Sequence, residues 1–257
     1  MRNLRVSLIQ RELAWENAAA NRQAFGQDLA SLAGKTDLAV LPEMFSTGFS
    51  MRAEIIAEDE AEDTLPWLQQ QANQHNIAIT GSLPVRTAGT VYNRLLFVTP
   101  DGAVQHYDKR HLFRMSGEDQ HYGGGSEKKI VNWRDWRICP LICYDLRFPV
   151  YSRNRDDYDL LLYVANWPAK RSFHWRALLT ARAIENQSYC LGLNRVGKDD
   201  NGIDYSGDSL VLAADGQTLL DCKADSGVFT TTLDASAMNT YRRKFPCHKD
   251  ADTFTID

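Results

Sequence analysis

Three short apolar runs in this chain each stop at a residue able to do chemistry. Leu38–Leu41 ends at Pro42-Glu43, Ile138–Ile142 ends at Cys143, and Leu160–Ala165 ends at Asn166-Trp167-Pro168. Apolar runs that give way abruptly to polar residues read as buried strands running into turns. In α/β enzymes such strand ends commonly present reactive groups, because the sheet beneath is rigid and the loop above is accessible. These boundaries constrain both the fold and the place where function would reside.

The intervening segments alternate between strand and helix patterns. Leu4–Gln10 reads as a strand, Asn17–Leu32 as an amphipathic helix, and a helix near Ala61–His75 leads to a strand at Ile77–Ser82. Val91–Thr99 and Ala103–Tyr107 flank Pro100-Asp101-Gly102, a strong hairpin signal. Strands follow at Lys129–Trp133 and Arg137–Ile142, then a helix near Val150–Asn154, the strand Leu160–Ala165, a helix over Phe173–Asn186 and a strand at Tyr189–Asn194. Ser209–Ala213, Thr218–Cys222 and Val228–Leu233 complete the strands, with Asp215-Gly216 in one of the turns between them. Hairpins mixed with β-α-β stretches predict an α/β sandwich rather than a purely parallel, doubly wound sheet. No Pro-, Gly- or Ser-rich linker and no fixed-period repeat divides the 257 residues, so one domain spanning 1–257 is expected.

Composition narrows the function class. With 44% hydrophobic and 24% charged residues the chain matches ordinary globular proteins, and a formal charge of −4 argues against an overall electrostatic hold on nucleic acid. The segment Met1–Gln10 has no long apolar signal core, and charges interrupt every later candidate for a membrane span. A cytoplasmic protein without nucleic-acid or membrane partners is expected. The five cysteines are odd in number and irregularly spaced, which in a reducing compartment predicts free thiols. Neither Cys-x-x-Cys nor His-x-x-x-His occurs, so no metal is expected.

Taken singly, the ionisable residues at the strand ends have ordinary explanations. Cys143 reads as a small core residue, Glu43 as a solvated or ion-paired loop acid, and Lys109-Arg110 as a solvated pair after a hairpin strand. Together they supply a thiol, a carboxylate and an ammonium, enough for nucleophilic attack on an amide. The carboxylate takes the thiol proton and later protonates the departing ammonia. The ammonium, with a backbone N–H, stabilises the oxyanion that forms on the carbonyl oxygen. Water then repeats the attack on the thioester.

Leu41-Pro42-Glu43, Asp108-Lys109-Arg110-His111-Leu112-Phe113 and Cys143-Tyr144-Asp145-Leu146-Arg147-Phe148-Pro149 resemble the glutamate, lysine and cysteine motifs of the nitrilase, or carbon–nitrogen hydrolase, superfamily. Order and separation agree as well. The resemblance implies a four-layer α-β-β-α sandwich with mixed sheets, covering nearly the whole chain and carrying a Glu-Lys-Cys triad without a cofactor. It implies Glu43 as general base, Lys109 as oxyanion stabiliser, Cys143 as nucleophile and the Tyr144 N–H as the second oxyanion donor. Glu118 resembles the second glutamate often found near this triad, and an exposed loop acid is the competing reading. A homodimer or larger assembly is also implied, with Tyr241–Asp257 a candidate contributor.

Within the superfamily the chain resembles the omega-amidase group, through Leu-Pro-Glu-Met-Phe (41–45), the lysine segment Tyr107–Met115, the cysteine segment and Tyr-Val-Ala-Asn-Trp-Pro (163–168). The substrates so implied are 2-oxoglutaramate and 2-oxosuccinamate, hydrolysed to the 2-oxo diacid and ammonia. Other small amides, nitriles and N-carbamoyl compounds stay open as substrates, and a non-catalytic binding protein on the same fold is the reading of another class. A carboxylate at the substrate's far end calls for cationic donors, for which Arg110, Arg114, Arg147 and Arg171 are candidates. Asn166, Trp167 and Phe113 are further candidate substrate contacts. For Arg147 the alternative is a structural ion pair, and for Trp167 it is core packing.

Three other patterns are expected to carry no chemistry. Gly207-Asp208-Ser209-Leu210 spells a serine-hydrolase block but falls late in the chain and reads as a turn entering a strand. Asn186-Gln187-Ser188 fits a glycosylation pattern that matters only in a secreted protein. Gly123-Gly124-Gly125 lacks the setting of a phosphate loop and reads as a flexible segment near the site.

Overall fold

The computed structural model describes residues 2–256; Met1 and Asp257, the outer ends of the terminal segments named above, lie outside the described residues. In chain order the first half contributes β1 (Leu4–Gln10), α1 (Ala18–Ser31), β2 (Leu38–Val40), α2 (Ala53–Ile56), β3 (Glu58–Asp59), α3 (Thr64–His75), β4 (Ala78–Thr87), β5 (Thr90–Val98) and β6 (Val104–Asp108). The second half contributes α4 (Glu118–His121), β7 (Val131–Trp133), β8 (Trp136–Ile142), α5 (Pro149–Ser152), β9 (Leu160–Ala165), α6 (Ser172–Asn186), β10 (Tyr189–Asn194), β11 (Val196–Lys198), β12 (Asp204–Ser206), β13 (Leu210–Leu212), β14 (Thr218–Asp221), β15 (Gly227–Leu233) and α7 (Ala235–Lys244).

Alternation along single strands explains the layering. On β1, Leu4, Val6 and Leu8 enter the core shared by the two large sheets, whereas Ile9 joins Phe25, Leu29, Leu68 and Ala72 beneath α1 and α3. The next strand repeats the division, with Leu38 and Val40 inward and Ala39 and Leu41 toward the helices. A strand buried on both faces favours apolar residues at every position, as in β2, whereas β1 carries Arg5 and Ser7 between its inward-facing residues. The first sheet runs β15-β1-β2-β4-β5-β6 with β3 beside β4, and the second runs β14-β13-β10-β9-β8-β7. Trp175, Leu179 and Ala183 of α6 pack onto the second sheet. The result is the four-layer α-β-β-α sandwich with mixed sheets that the motifs implied.

The structure departs from the sequence reading where long-range pairing decides. The strand expected at Ile77–Ser82 continues to Thr87, because β5 pairs with it as far as Thr87↔Thr90. The helix expected from Ala61 begins at Thr64, where the Glu58 carboxylate accepts the Thr64 N–H. The last strand does not extend the hairpin series: β15 crosses to the other sheet and pairs antiparallel with β1, Leu4 opposite Leu233. The β11–β12 hairpin, unread in the sequence, stands apart from both sheets. Among the described residues no helix is long and apolar enough to cross a membrane.

One expectation is overturned. Gly123-Gly124-Gly125 is not a flexible segment: the Gly123 N–H donates to the Val91 carbonyl at 2.8 Å and the Gly125 N–H to the Lys109 carbonyl at 2.9 Å. A Cβ on Gly125 would lie 2.1 Å from the Asp108 carbonyl oxygen, so glycine is required there by close backbone approach. The late Gly-Asp-Ser-Leu block is the turn that was expected, with Gly207 and Asp208 both at positive φ before β13. Gly125→Ala should therefore destabilise the fold by about 1–3 kcal/mol, the usual range for forced overpacking. Gly124→Ala, whose Cβ would sit at an ordinary 3.4 Å from the Arg110 carbonyl, should cost much less. Urea denaturation of the two variants checks the contrast.

Candidate active site

Four strand ends converge on one cavity. Glu43 follows β2, Lys109 follows β6, Cys143 follows β8 and Asn166 follows β9. The cavity has a volume of about 290 Å³, and Lys109, Cys143, Tyr144, Phe113, Asn166 and Trp167 all line it.

Behind the cavity wall lies a fully buried ion cluster. The Lys109 Nζ donates to Glu43 Oε1 at 2.9 Å and to both oxygens of Glu118 at 2.9 Å. All three side chains are inaccessible to solvent. Asn93 Nδ2 donates to Glu43 Oε1 at 2.8 Å, and the Asn166 N–H donates to Glu43 Oε2 at 2.7 Å. The Phe113 N–H donates to Glu118 Oε2 at 2.6 Å, and the Phe49 ring lies 5.1 Å from the ammonium. Burial alone would push the Lys109 ammonium toward neutrality, but Glu118 and Glu43 together outweigh it and hold its pKa above the ordinary lysine value. The two carboxylates thus favour the charged form of the lysine. Burial raises Glu118, with Lys109 pulling the other way.

Cys143 is half-buried at the cavity floor, its Sγ 4.0 Å from the Asn166 carbonyl oxygen. Burial first, then the neighbouring Glu43, pushes its thiol well above the ordinary value, against the opposing pull of Lys109. Burial and the adjacent Glu43 carboxylate thus favour the neutral thiol over the thiolate. Its backbone adopts φ +43°, a left-handed conformation uncommon outside glycine, which breaks β8 and starts the turn Cys143–Arg147.

Buried Asp145 holds that turn in place. Its carboxylate accepts the Ile142 N–H at 3.0 Å, the His111 N–H at 3.0 Å and the Tyr107 hydroxyl at 2.8 Å. It also lies 2.7 Å from His111 Nδ1, and the His111 ring stacks on Phe148 at 3.9 Å. The segments bearing Lys109 and Cys143 are thereby tied to one acid.

A family model for carbon–nitrogen hydrolases matches residues 5–243. The omega-amidase YafV of Escherichia coli is 49% identical over the full length of both chains. This chain belongs to the carbon–nitrogen hydrolase family. The 2-oxoglutaramate amidase of Bacillus subtilis is 28% identical, with 95% of this chain and 96% of that protein covered. Among solved structures, a carbon–nitrogen hydrolase superfamily protein of Xanthomonas campestris with an arsenic adduct in its active site superposes with a TM-score of 0.98. It is 47% identical over all of both chains.

Each site residue expected in this carbon–nitrogen hydrolase has a definite place. Glu118 is no exposed loop acid but a member of the buried cluster. Trp167 is both core and wall: 3% exposed, packed on Trp175, and facing the cavity. Arg147 makes no structural ion pair among the described residues; its guanidinium lies over the Trp167 ring at 4.7 Å, with Nη2 3.3 Å from His174 Nδ1. Arg171 lines the cavity, whereas Arg110 and Arg114 lie outside it.

Several contributors escaped the sequence reading. Asn93 carried a signal, since asparagine is unusual in mid-strand. Asp145 and His111 lay inside quoted motifs but had no assigned role. Asp199, Asn201, Ile203 and Tyr205 of the β11–β12 hairpin form a further wall. Removing the ammonium leaves two carboxylates buried without their counter-charge, so Lys109→Met should lower the unfolding free energy by about 3–5 kcal/mol. Denaturant titration checks this, and a loss below about 1 kcal/mol, typical of exposed pairs, would contradict the cluster.

Proposed function

We propose that this chain is an omega-amidase, converting 2-oxo acid monoamides such as 2-oxoglutaramate and 2-oxosuccinamate to the 2-oxo diacid and ammonia. The observation that carries the mechanism is the cavity-lining Cys143 thiol 4.0 Å from the carbonyl oxygen of Asn166, whose N–H holds Glu43 at 2.7 Å while the Lys109 Nζ lies 2.9 Å from the same carboxylate. The substrate class is supported by full-length similarity to a named omega-amidase.

In the proposed reaction, Cys143 Sγ attacks the amide carbonyl carbon as its proton passes to Glu43. Negative charge forms on the carbonyl oxygen, facing the Lys109 ammonium and the Tyr144 N–H. Glu43 returns the proton to nitrogen, the C–N bond breaks, and ammonia leaves a thioester. Water, deprotonated by Glu43, attacks the thioester; the second tetrahedral intermediate collapses to the acid and the thiol takes back its proton. Glu118 keeps Lys109 charged and in position. Asn166 holds Glu43, its side-chain N–H donating to the Glu43 carbonyl at 2.7 Å. Its Oδ1, without a partner among the described residues, is a suitable acceptor for the substrate amide N–H. Phe113 and Trp167 wall the substrate chain.

A non-catalytic protein would not need this cluster, which costs desolvation and brings no packing advantage. The reading carries with it one domain over the whole chain, a cytoplasmic setting and a homodimer or larger assembly. Exposed Phe245 and Ile256 near the C-terminus support a self-association surface.

Purified wild type should release ammonia from 2-oxoglutaramate, and Cys143→Ala should be inactive in the same assay. Comparable activity in both would remove Cys143 as nucleophile. Activity only on nitriles or N-carbamoyl compounds would overturn the substrate class and spare the thiol. The raised thiol also predicts the pH profile. Because it stays protonated through the range where a free cysteine ionises, kcat/KM should show no alkaline rise centred near about 8.5. A rise with that midpoint would mean an independently ionising thiolate.

A further inference from the structure

Two guanidinium groups at the cavity lack the counter-charges that arginines usually find. Arg147 and Arg171 both line the wall, and among the described residues neither has a carboxylate within ion-pair distance. Each lies against an aromatic ring instead, Arg147 over Trp167 at 4.7 Å and Arg171 over Phe113 at 5.6 Å. Stacking supports the face of a guanidinium and leaves its in-plane N–H donors available. The two positions are coupled through the backbone as well, since Trp167 Nε1 donates to the Arg171 carbonyl at 2.9 Å.

The pair is electrostatically uncompensated. Burial, and then the like charge of Arg171, pushes the Arg147 guanidinium below its ordinary value. Asp199, the acid on the opposite hairpin, is already engaged, accepting the Tyr205 hydroxyl and the Ile203 N–H, both at 2.9 Å. Two like charges held together in a partly desolvated wall are stabilised by an anion between them. The other end of the cavity has the opposite character. There Cys143 is backed by the buried cluster, in which two carboxylates stand against the one Lys109 ammonium. The cavity therefore favours a ligand that is anionic at one end and neutral at the other.

We propose that Arg147 and Arg171 together form the carboxylate anchor of the substrate, selecting amides with an anionic far end and turning the neutral amide toward Cys143. This rests on the amidase reading above and adds to it the residues that set selectivity. Arg110 and Arg114, which lie outside the cavity, take no part.

The test compares kcat/KM for 2-oxoglutaramate with that for butyramide, a neutral amide of similar length. Arg147→Gln and Arg171→Gln should each lower the ratio of the two roughly 10- to 150-fold, the span expected for one charge-assisted contact, mainly through KM for the anion. Arg171→Lys should recover part of it, and Arg114→Gln should keep the wild-type ratio. Equal losses on both substrates in the Gln variants would overturn the anchor and leave a merely structural role. If wild type hydrolyses no 2-oxo acid monoamide, the function proposed above fails by itself. The anchor is then judged by binding of 2-oxoglutarate to Cys143→Ala, measured calorimetrically. Weakening by a similar factor when either arginine is also changed supports the anchor, and unchanged affinity overturns it.

Discussion

The ammonium of Lys109, held between Glu43 and Glu118 out of contact with water, is the interaction on which the rest of the site depends. A charge so buried survives only with close counter-charges and full hydrogen bonding. That requirement explains much around it: Asn93 and the Asn166 N–H serve the remaining capacity of Glu43, and the Phe113 N–H serves Glu118. With both carboxylates committed, the geometry around the thiol is set before any substrate arrives. Preorganisation of this kind is what electrostatic stabilisation of a transition state needs, because nothing has to reorient as charge develops.

A second buried charge does for the loops what Lys109 does for the side chains. Asp145 gathers donors from Ile142, His111 and Tyr107, so the turn after β8 and the segment after β6 share one anchor. The left-handed backbone at Cys143 is strained for a non-glycine residue and is held by these bonds. Close approach at Gly125 fixes the same segment from its other side. The thiol thus sits at a break between rigid strands.

Glu43 and Cys143 were readable because each ends an apolar run, Lys109 because it follows a hairpin strand, and all three because they stand in recognisable motifs. Glu118 was not readable to the same degree. Whether an acid in a Gly-Glu-Asp segment is exposed or buried depends on what the rest of the chain brings over it, and here that is Lys109. The hairpin wall at 196–206 was missed because its strands are three residues each and pair only with one another. The glycine triplet was misread because three glycines permit flexibility in isolation, whereas neighbouring backbone demands them in the fold. The arginines were the least legible, since four candidates look alike until their partners are known.

By itself the sequence determined the layered α/β architecture and the three chemical groups at strand ends, because hydrophobic period and local motif are properties of neighbouring residues. The tertiary structure alone decided which charges are paired and which are left uncompensated. It joined Lys109 to Glu43 and Glu118, gave Arg114 a nearby Asp119, and brought Arg147 and Arg171 to one cavity without a counter-ion among the described residues. Pairing is settled by distance in space, and the electrostatics of a buried site change steeply over a few ångströms.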